Sequence, residues 1–210
     1  VDYFVAISRH IQEKIESIYQ RSADVIYPPV ETSKFYVSKE HDEYFLIVSR
    51  LNSYKRIDLV IEAFNRLSLP LLVIGTGPHE EILKRNANNN ITFLGKVAEK
   101  ELVGYLSRCR AFIFPGEEDF GIAPVEAMAS GRPVIAYGGG GALETVVEGT
   151  TGLFFQNKTV EGLIEAIHHF EKMESKFDPI KIRRHAQQFD KEIFKQKIKD
   201  YITEKYAHFN

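Results

Sequence analysis

The stretch AFIFPGEEDFGIAPVEAMASGRPVIA, residues 111–136, decides the architecture. It opens on four apolar residues, Ala111 to Phe114, closed off by Pro115-Gly116. A run that short between turn residues reads as a strand buried on both faces. An acidic loop follows. Pro124 then suits the first turn of a helix and Gly131 its end, so a helix is expected over 124–130. Residues 133–136 resume an apolar strand. Strand, helix and strand at this spacing make one βαβ unit, whose two strands run parallel.

The same alternation extends to both sides. Toward the amino terminus the pattern predicts strands at 44–49, 71–74 and 91–94, with helices at 57–67, after Pro78, and at 99–108. Toward the carboxyl terminus it predicts a helix at 142–148 and a strand at 152–154. Short apolar strands between amphipathic helices call for an α/β fold with a doubly wound parallel sheet covered on both faces. In such sheets ligands sit at the carboxyl ends of the strands. The glycine-bearing turns after Ile74, Leu94, Phe114 and Ala136 all fall on that edge.

Outside this core the pattern changes. Residues 3–7 read as a short strand, and Ser8 as the cap of a helix carrying Ile11, Ile15 and Ile18. Another short strand is expected at 25–27, before Pro28-Pro29 favours an extended connector. The expected organisation is 1–27 as the end of a preceding domain, 28–43 as a linker, 44–180 as the ligand-binding domain, and 181–210 as helices packed back on it. Residues 159–205 read as helices only, and no internal repeat or low-complexity segment occurs.

Composition narrows the function classes. With 210 residues, the chain can bury one large α/β core. Hydrophobic residues at 44% against 27% charged exclude a disordered chain. A net charge of -2 lacks the basic excess of a nucleic-acid binder, so no nucleic-acid partner is expected. No apolar run reaches the roughly 18–20 residues of a membrane-spanning helix. The single cysteine, Cys109, forbids an intrachain disulfide and suits a reducing, cytoplasmic setting. It reads as a core or subsurface thiol. The chain starts Val1-Asp2-Tyr3 without a signal-peptide pattern and is expected to be a piece of a longer protein.

Three motifs carry chemistry. Within the opening stretch, Glu118 and Glu126 stand eight positions apart, the first on the loop and the second expected in the first helical turn. Backbone N–H groups at Gly121 and Ile122 lie beside a helix N-terminus, which suits an anion. Carboxylates accept hydrogen bonds, so they suit a hydroxyl-rich ligand. A dipole-favoured Glu126 and a solvated acidic loop would fit the same residues. The second motif is Arg50 and Lys55, at the end of one strand and the start of the next helix. Together they would clamp a diphosphate, although exposed surface cations would read alike. Tyr54 between them fits either the surface or a contact with a base. The third is the glycine run Gly138 to Gly141, which lets backbone approach a ligand and leads into a helix. Gly75-Thr76-Gly77-Pro78 reads as a tight turn, because Glu80 breaks the dinucleotide fingerprint.

These motifs in this order resemble the carboxyl-terminal, donor-binding domain of a family-4 glycosyltransferase of the GT-B fold. The resemblance rests on R-x4-K (Arg50, Lys55), on E-x7-E (Glu118, Glu126), and on VIYPPVETSKF at 25–35, NITFLGKV at 90–97 and GGGALETV at 139–146. It covers roughly residues 3–155. It implies a Rossmann-like domain, one half of a two-domain enzyme that retains anomeric configuration. Arg50 and Lys55 would bind the donor diphosphate and neutralise the leaving group, and Glu118 would contact the transferred sugar, making these three the catalytic set. Glu126 would bind the ribose hydroxyls. Phe120, Gly121 and Ile122 would offer backbone donors, and Lys96 and Val97 would lie by the base.

The implied donor is a nucleotide-diphosphate sugar, with GDP-mannose favoured by the mannosyltransferase-like linker. The implied acceptor is a glycan or lipid-linked glycan held mainly by a domain absent from this chain, so the chain alone is expected to be inactive. No cofactor and no metal are implied, since two cations and a helix dipole can stabilise a leaving diphosphate. His168-His169 diverge on a helix and form no chelating pair. The alternatives are a non-catalytic nucleotide-sugar-binding module, and a UDP-sugar transferase, epimerase or phosphorylase of the same fold. The tail repeats apolar residues at helical spacing among seven basic and three acidic residues over 180–200. It is expected to pack across the domain, and the same pattern would suit an anionic membrane on the cytoplasmic face.

Overall fold

Buried β-branched and aromatic runs become strands, and the residues between them become helices with one apolar face. The computed structural model describes residues 2–207. A first segment holds β1 (Val5–Ala6), α1 (Arg9–Tyr19) and β2 (Asp24–Val25). The domain proper follows with β3 (Phe45–Val48), α2 (Ile57–Leu67), β4 (Leu71–Ile74), α3 (Glu80–Asn86), β5 (Ile91–Gly95) and α4 (Glu99–Arg108). It continues with β6 (Phe112–Phe114), α5 (Ile122–Ala129), β7 (Val134–Tyr137), α6 (Ala142–Thr145) and β8 (Gly152–Phe155). The tail holds α7 (Val160–Met173), α8 (Pro179–Ala186) and α9 (Lys191–Ala207).

Six strands pair in parallel in the order β5-β4-β3-β6-β7-β8. From β3 the chain winds outward through β4 and β5, and from β6 outward the other way through β7 and β8. The winding therefore reverses between β3 and β6, and their carboxyl-end loops diverge to leave a crevice. The core runs through the sheet: Phe45, Phe64, Phe112 and Phe170 are fully buried, with Phe45 edge-on to Phe64 and Phe170 at 5.3 and 5.9 Å. The α/β, doubly wound, parallel sheet is the one expected. Cys109 is fully buried, and burial pushes its thiol up to about 12. β1 and β2 form a separate two-stranded parallel sheet.

Several expected boundaries move, for local reasons. The strand expected at 3–7 shrinks to Val5–Ala6, because only Ala6 is buried while Tyr3, Val5 and Ile7 are exposed. The helix expected at 124–130 starts at Ile122, because Gly121 takes a positive φ of 88° and forms the N-cap. Glu126 thereby sits in the second turn, not the first. Lys55 does not enter α2: it ends a 3-10 turn over Ser53–Lys55, and Arg56 at φ 53° separates that turn from α2. The helix expected over 142–148 stops at Thr145, where Val146 turns extended and the Thr151 hydroxyl takes the Val147 N–H at 2.8 Å.

The linker at 28–43 lies on the domain. Val30, Thr32 and Phe35 are buried, and two arginines hold its carbonyls. Arg132, only 4% exposed, donates to Ser38 O at 3.2 Å, Glu40 O at 3.1 Å and Ser107 O at 2.8 Å. Arg183 of α8 donates to Phe35 O at 2.7 Å, to Thr32 O at 3.3 Å and to Ala129 O. In the tail, Lys191 pairs with Glu31 and Lys195 with Glu192. Phe194, Ile198 and Tyr201 are half-buried on α9, and Lys205 reaches Asp24 of β2 at 3.5 Å. The last helix thus turns back toward the first segment. Among the described residues no helix is long and apolar enough to cross a membrane.

Replacing Arg132 by Met should leave buried Ser107 O and the linker carbonyls of Ser38 and Glu40 without this donor. We expect a loss of about 2–4 kcal/mol in urea denaturation at unchanged slope. A loss below about 0.5 kcal/mol would show that the linker does not depend on this side chain.

Candidate active site

The crevice between β3 and β6 is built from backbone that approaches backbone. After β3, Ser49 and Arg50 leave the sheet, and the turn after β4 lies directly on them. A Cβ on Gly75 would fall 1.9 Å from Ser49 O, and one on Gly77 2.5 Å from Leu51 O. This explains the glycines of the Gly75–Pro78 turn as packing requirements. An opening of about 490 Å³ remains, lined by Ser49, Arg50, Ile74, Gly75 and Thr76. Arg50 is exposed there, and among the described residues its guanidinium has no partner. Across the switch point, Gly116 passes under Lys55, where a Cβ would sit 3.4 Å from Lys55 Cα.

That contact brings Lys55 to Glu118. Lys55 Nζ lies 2.6 Å from Glu118 Oε1, with both side chains largely shielded at 15% and 27% exposure. An ion pair so placed is stronger than a surface pair, though a ligand anion can compete for its cation. The ammonium also lies 4.9 Å from the centroid of the exposed Tyr54 ring. The loop carrying Glu118 is pressed against the glycine run: Gly141 N–H donates to Glu118 O at 2.8 Å. Any Cβ on Gly141 would come within 2.3 Å of Phe120 Cα.

Phe120 itself is buried, stacked on Tyr27 at 5.6 Å and edge-on to Phe189 at 5.5 Å. Its side chain is unavailable to a ligand, but its backbone is not. Among the described residues the N–H groups of Phe120, Gly121 and Ile122 find no acceptor. They open α5, where aligned peptide dipoles favour negative charge.

Glu126 lies farther along α5. It is half-buried, and its carboxyl is pushed up to about 7, first by burial and then by the nearby charge of Glu99, with Lys34 opposing. Lys34 is bound to Glu99 at 2.5 Å. No side-chain hydrogen bond satisfies the Glu126 carboxylate among the described residues, which leaves it ready to accept from a ligand. Lys96 is exposed and Val97 half-buried, one turn before Glu99. The structure thus gathers Arg50, Lys55, Glu118 and the Phe120–Ile122 backbone at the switch point. Glu126 stands along α5 with Lys34 and Glu99 near it. Sequence reasoning missed Lys34, Glu99 and Glu144. Glu99 was detectable as an acid opening a helix, whereas Lys34 reaches its place only through the linker's path. Among the described residues no group of three His, Cys, Asp or Glu side chains is placed to hold a metal ion.

Glu126 has a predictable thermal signature. Its folded-state carboxyl titrates above the ordinary 4.5, so the fold binds a proton that the unfolded chain releases between 4.5 and about 7. Wild-type stability should therefore fall as pH rises through that window. Glu126→Gln removes the cost: its melting temperature should match wild type near about pH 4.5 and exceed it at about pH 8. A variant less stable than wild type at the higher pH would show that the ionised carboxylate has a partner.

The fold has counterparts among known proteins. The sequence pattern of the family described as "Glycosyl transferases group 1" matches residues 30–192. A glycosyltransferase of Methanocaldococcus jannaschii is 28% identical over 171 residues, spanning 79% of this chain and 48% of that protein. A GDP-mannose-dependent phosphatidylinositol monomannoside mannosyltransferase of Mycobacterium tuberculosis is 32% identical over 138 residues, spanning 57% of this chain and 36% of that protein. Among solved structures, an Anabaena protein in complex with UDP and glucose superposes with a TM-score of 0.86 at 20% identity, covering 97% of this chain and 63% of that one. The chain spans about half the length of the first curated relatives it matches. With the family pattern running over most of its length, on half of a GT-B fold, this chain belongs to the glycosyl transferases group 1 family.

Proposed function

We propose that the chain is the donor-binding half of a retaining glycosyltransferase that takes a hexosyl group from a nucleotide-diphosphate sugar. The observation that carries this reading is the Lys55–Glu118 pair at 2.6 Å beside an unpartnered Arg50 at the switch point. Two cations and free helix-opening N–H groups suit a diphosphate, and the carboxylate beside them suits sugar hydroxyls. On donor entry, Lys55 exchanges part of its contact with Glu118 for a phosphate oxygen, and Glu118 turns to the sugar. Charge that develops on the leaving diphosphate is met by Arg50, Lys55 and the amino end of α5. Glu126 accepts from the ribose hydroxyls, and Lys96 and Val97 border the base. This scheme uses no cofactor or metal, and the fragment alone is expected to hold a donor without turnover.

GDP-mannose is the favoured donor. The Mycobacterium tuberculosis relative is GDP-mannose-dependent by name. Guanine offers adjacent N–H donors on one edge, and Glu99 places an acceptor on the Glu126 side of the cleft. A UDP-sugar is the competing reading, since the Anabaena structure holds UDP. The acceptor is a glycan or lipid-linked glycan held by the rest of the protein. Exposed Lys181, Arg184, Lys197 and Lys199 leave part of the tail free for an anionic membrane surface on the cytoplasmic side. A non-catalytic module is disfavoured because Arg50, Lys55, Glu118 and Glu126 are all in place.

Calorimetry with GDP, UDP and ADP, with and without EDTA, tests the reading. We expect GDP to bind selectively and to survive EDTA, with a matching rise in melting temperature. Arg50→Ala and Lys55→Ala should each weaken binding roughly tenfold or more. Unchanged affinity in both variants would overturn the site. Selective UDP or ADP binding would keep the site and replace the donor.

A further inference from the structure

The glycine-run motif at 139–146 does more than wall the cleft. Glu144, on α6 just after the glycines, sends one carboxylate across to the first segment. Its oxygens accept the Arg9 N–H at 2.9 Å, the His10 N–H at 3.0 Å and the Tyr27 hydroxyl at 3.0 Å. The first two are opening amides of α1, and the third opening amide, Ile11 N–H, goes to the Ser8 hydroxyl at 3.1 Å. The Arg9, His10 and Ile11 N–H groups of that helix end are thus satisfied, two of them from 134 or more residues away. Ser8 and Ala6 beside it are fully buried, although α1 itself buries no side chain completely. This carboxylate is therefore what seats the helix, assisted by Lys14 on Asp119 at 3.3 Å and His10 near Glu117 at 4.0 Å.

The same carboxylate is joined to the donor cleft by two routes. Tyr27 stacks on Phe120, whose backbone leads into Gly121. The glycine run just before Glu144 donates Gly141 N–H to Glu118 O and leaves no room for a Cβ against Phe120. On the far side, Thr145 O is held by His185 Nε2 at 2.8 Å, so α6 cannot drift away from α8.

We propose that Glu144 is a positioning residue. By gathering the α1 amides and the Tyr27 hydroxyl, it holds residues 5–27 against the Glu118–Ile122 loop and sets the sugar-holding side of the cleft. The statement about the sugar rests on the donor-binding reading above; the coupling of α1 to the loop does not. One carboxylate thereby ties the entering chain to the residues that face the transferred group.

Glu144→Gln in the 210-residue chain tests it. Glutamine keeps the size, but its amide nitrogen cannot accept, so one α1 amide loses its partner. Hydrogen exchange should quicken roughly tenfold both in peptides over 8–12 and in peptides carrying Gly141, whose N–H is bonded to Glu118 O, with β3 unchanged. GDP-mannose should lose roughly tenfold in affinity and GDP less, roughly threefold, because the α5 amides on the same loop meet the diphosphate. Tyr27→Phe removes one of the three bonds, should shift both readouts the same way by less, and serves if the Gln variant fails to fold. Faster exchange confined to α1 would overturn the coupling, and equal weakening of GDP and GDP-mannose would overturn the sugar-side role. If the wild-type chain bound neither ligand, the donor reading would fail and the exchange experiment alone would decide the coupling.

Discussion

Missing side chains at a few glycines set the shape of the cleft. Gly75 and Gly77 let the β4 turn rest on the Ser49–Leu51 backbone, and Gly140 and Gly141 let the glycine run rest on Glu118–Phe120. In each case a Cβ would sit within 2.5 Å of backbone, a distance no side-chain adjustment relieves. Without these approaches the loops after β3 and β6 would stand apart, and Lys55 would not reach Glu118. The reversal of strand order creates a crevice; the glycines give it walls near enough to bind a small charged ligand.

Charge in that crevice is only partly paired within the protein. Lys55 and Glu118 neutralise each other in the empty site, which lets two partly shielded ions coexist. Glu126 shows the opposite situation. It is half-buried without a side-chain donor, so its ionised form is penalised. Stability is given up at this position when the carboxyl ionises. The amides at the start of α5 are likewise without an acceptor among the described residues.

The linker and tail are part of the domain rather than appendages. Arg132 and Arg183 approach from two directions and spend their guanidinium donors on linker carbonyls, which an extended segment rich in proline cannot satisfy internally. Lys34 is consequently held at Glu99, near Glu126, and Tyr27 is held on Phe120. The path of a segment with few core residues thus decides which charges surround Glu126.

The sequence by itself determined the doubly wound sheet and the order of its elements, and it singled out Arg50, Lys55, Glu118 and Glu126 as candidates. Strand and helix periodicity, prolines at helix starts and glycines at turns are local signals, so they can be read along the chain. Only the tertiary structure decided that Lys55 sits in a 3-10 turn, that Glu126 belongs to the second turn of α5, and that the Phe120 side chain is buried. It alone decided that Glu144 caps a helix that starts at Arg9, and that Arg132 and Arg183 secure the linker. The physical reason is separation. A hydrogen bond between groups 92 or more residues apart leaves no periodicity in either segment, and a helix start moved by one glycine's φ depends on what packs against it.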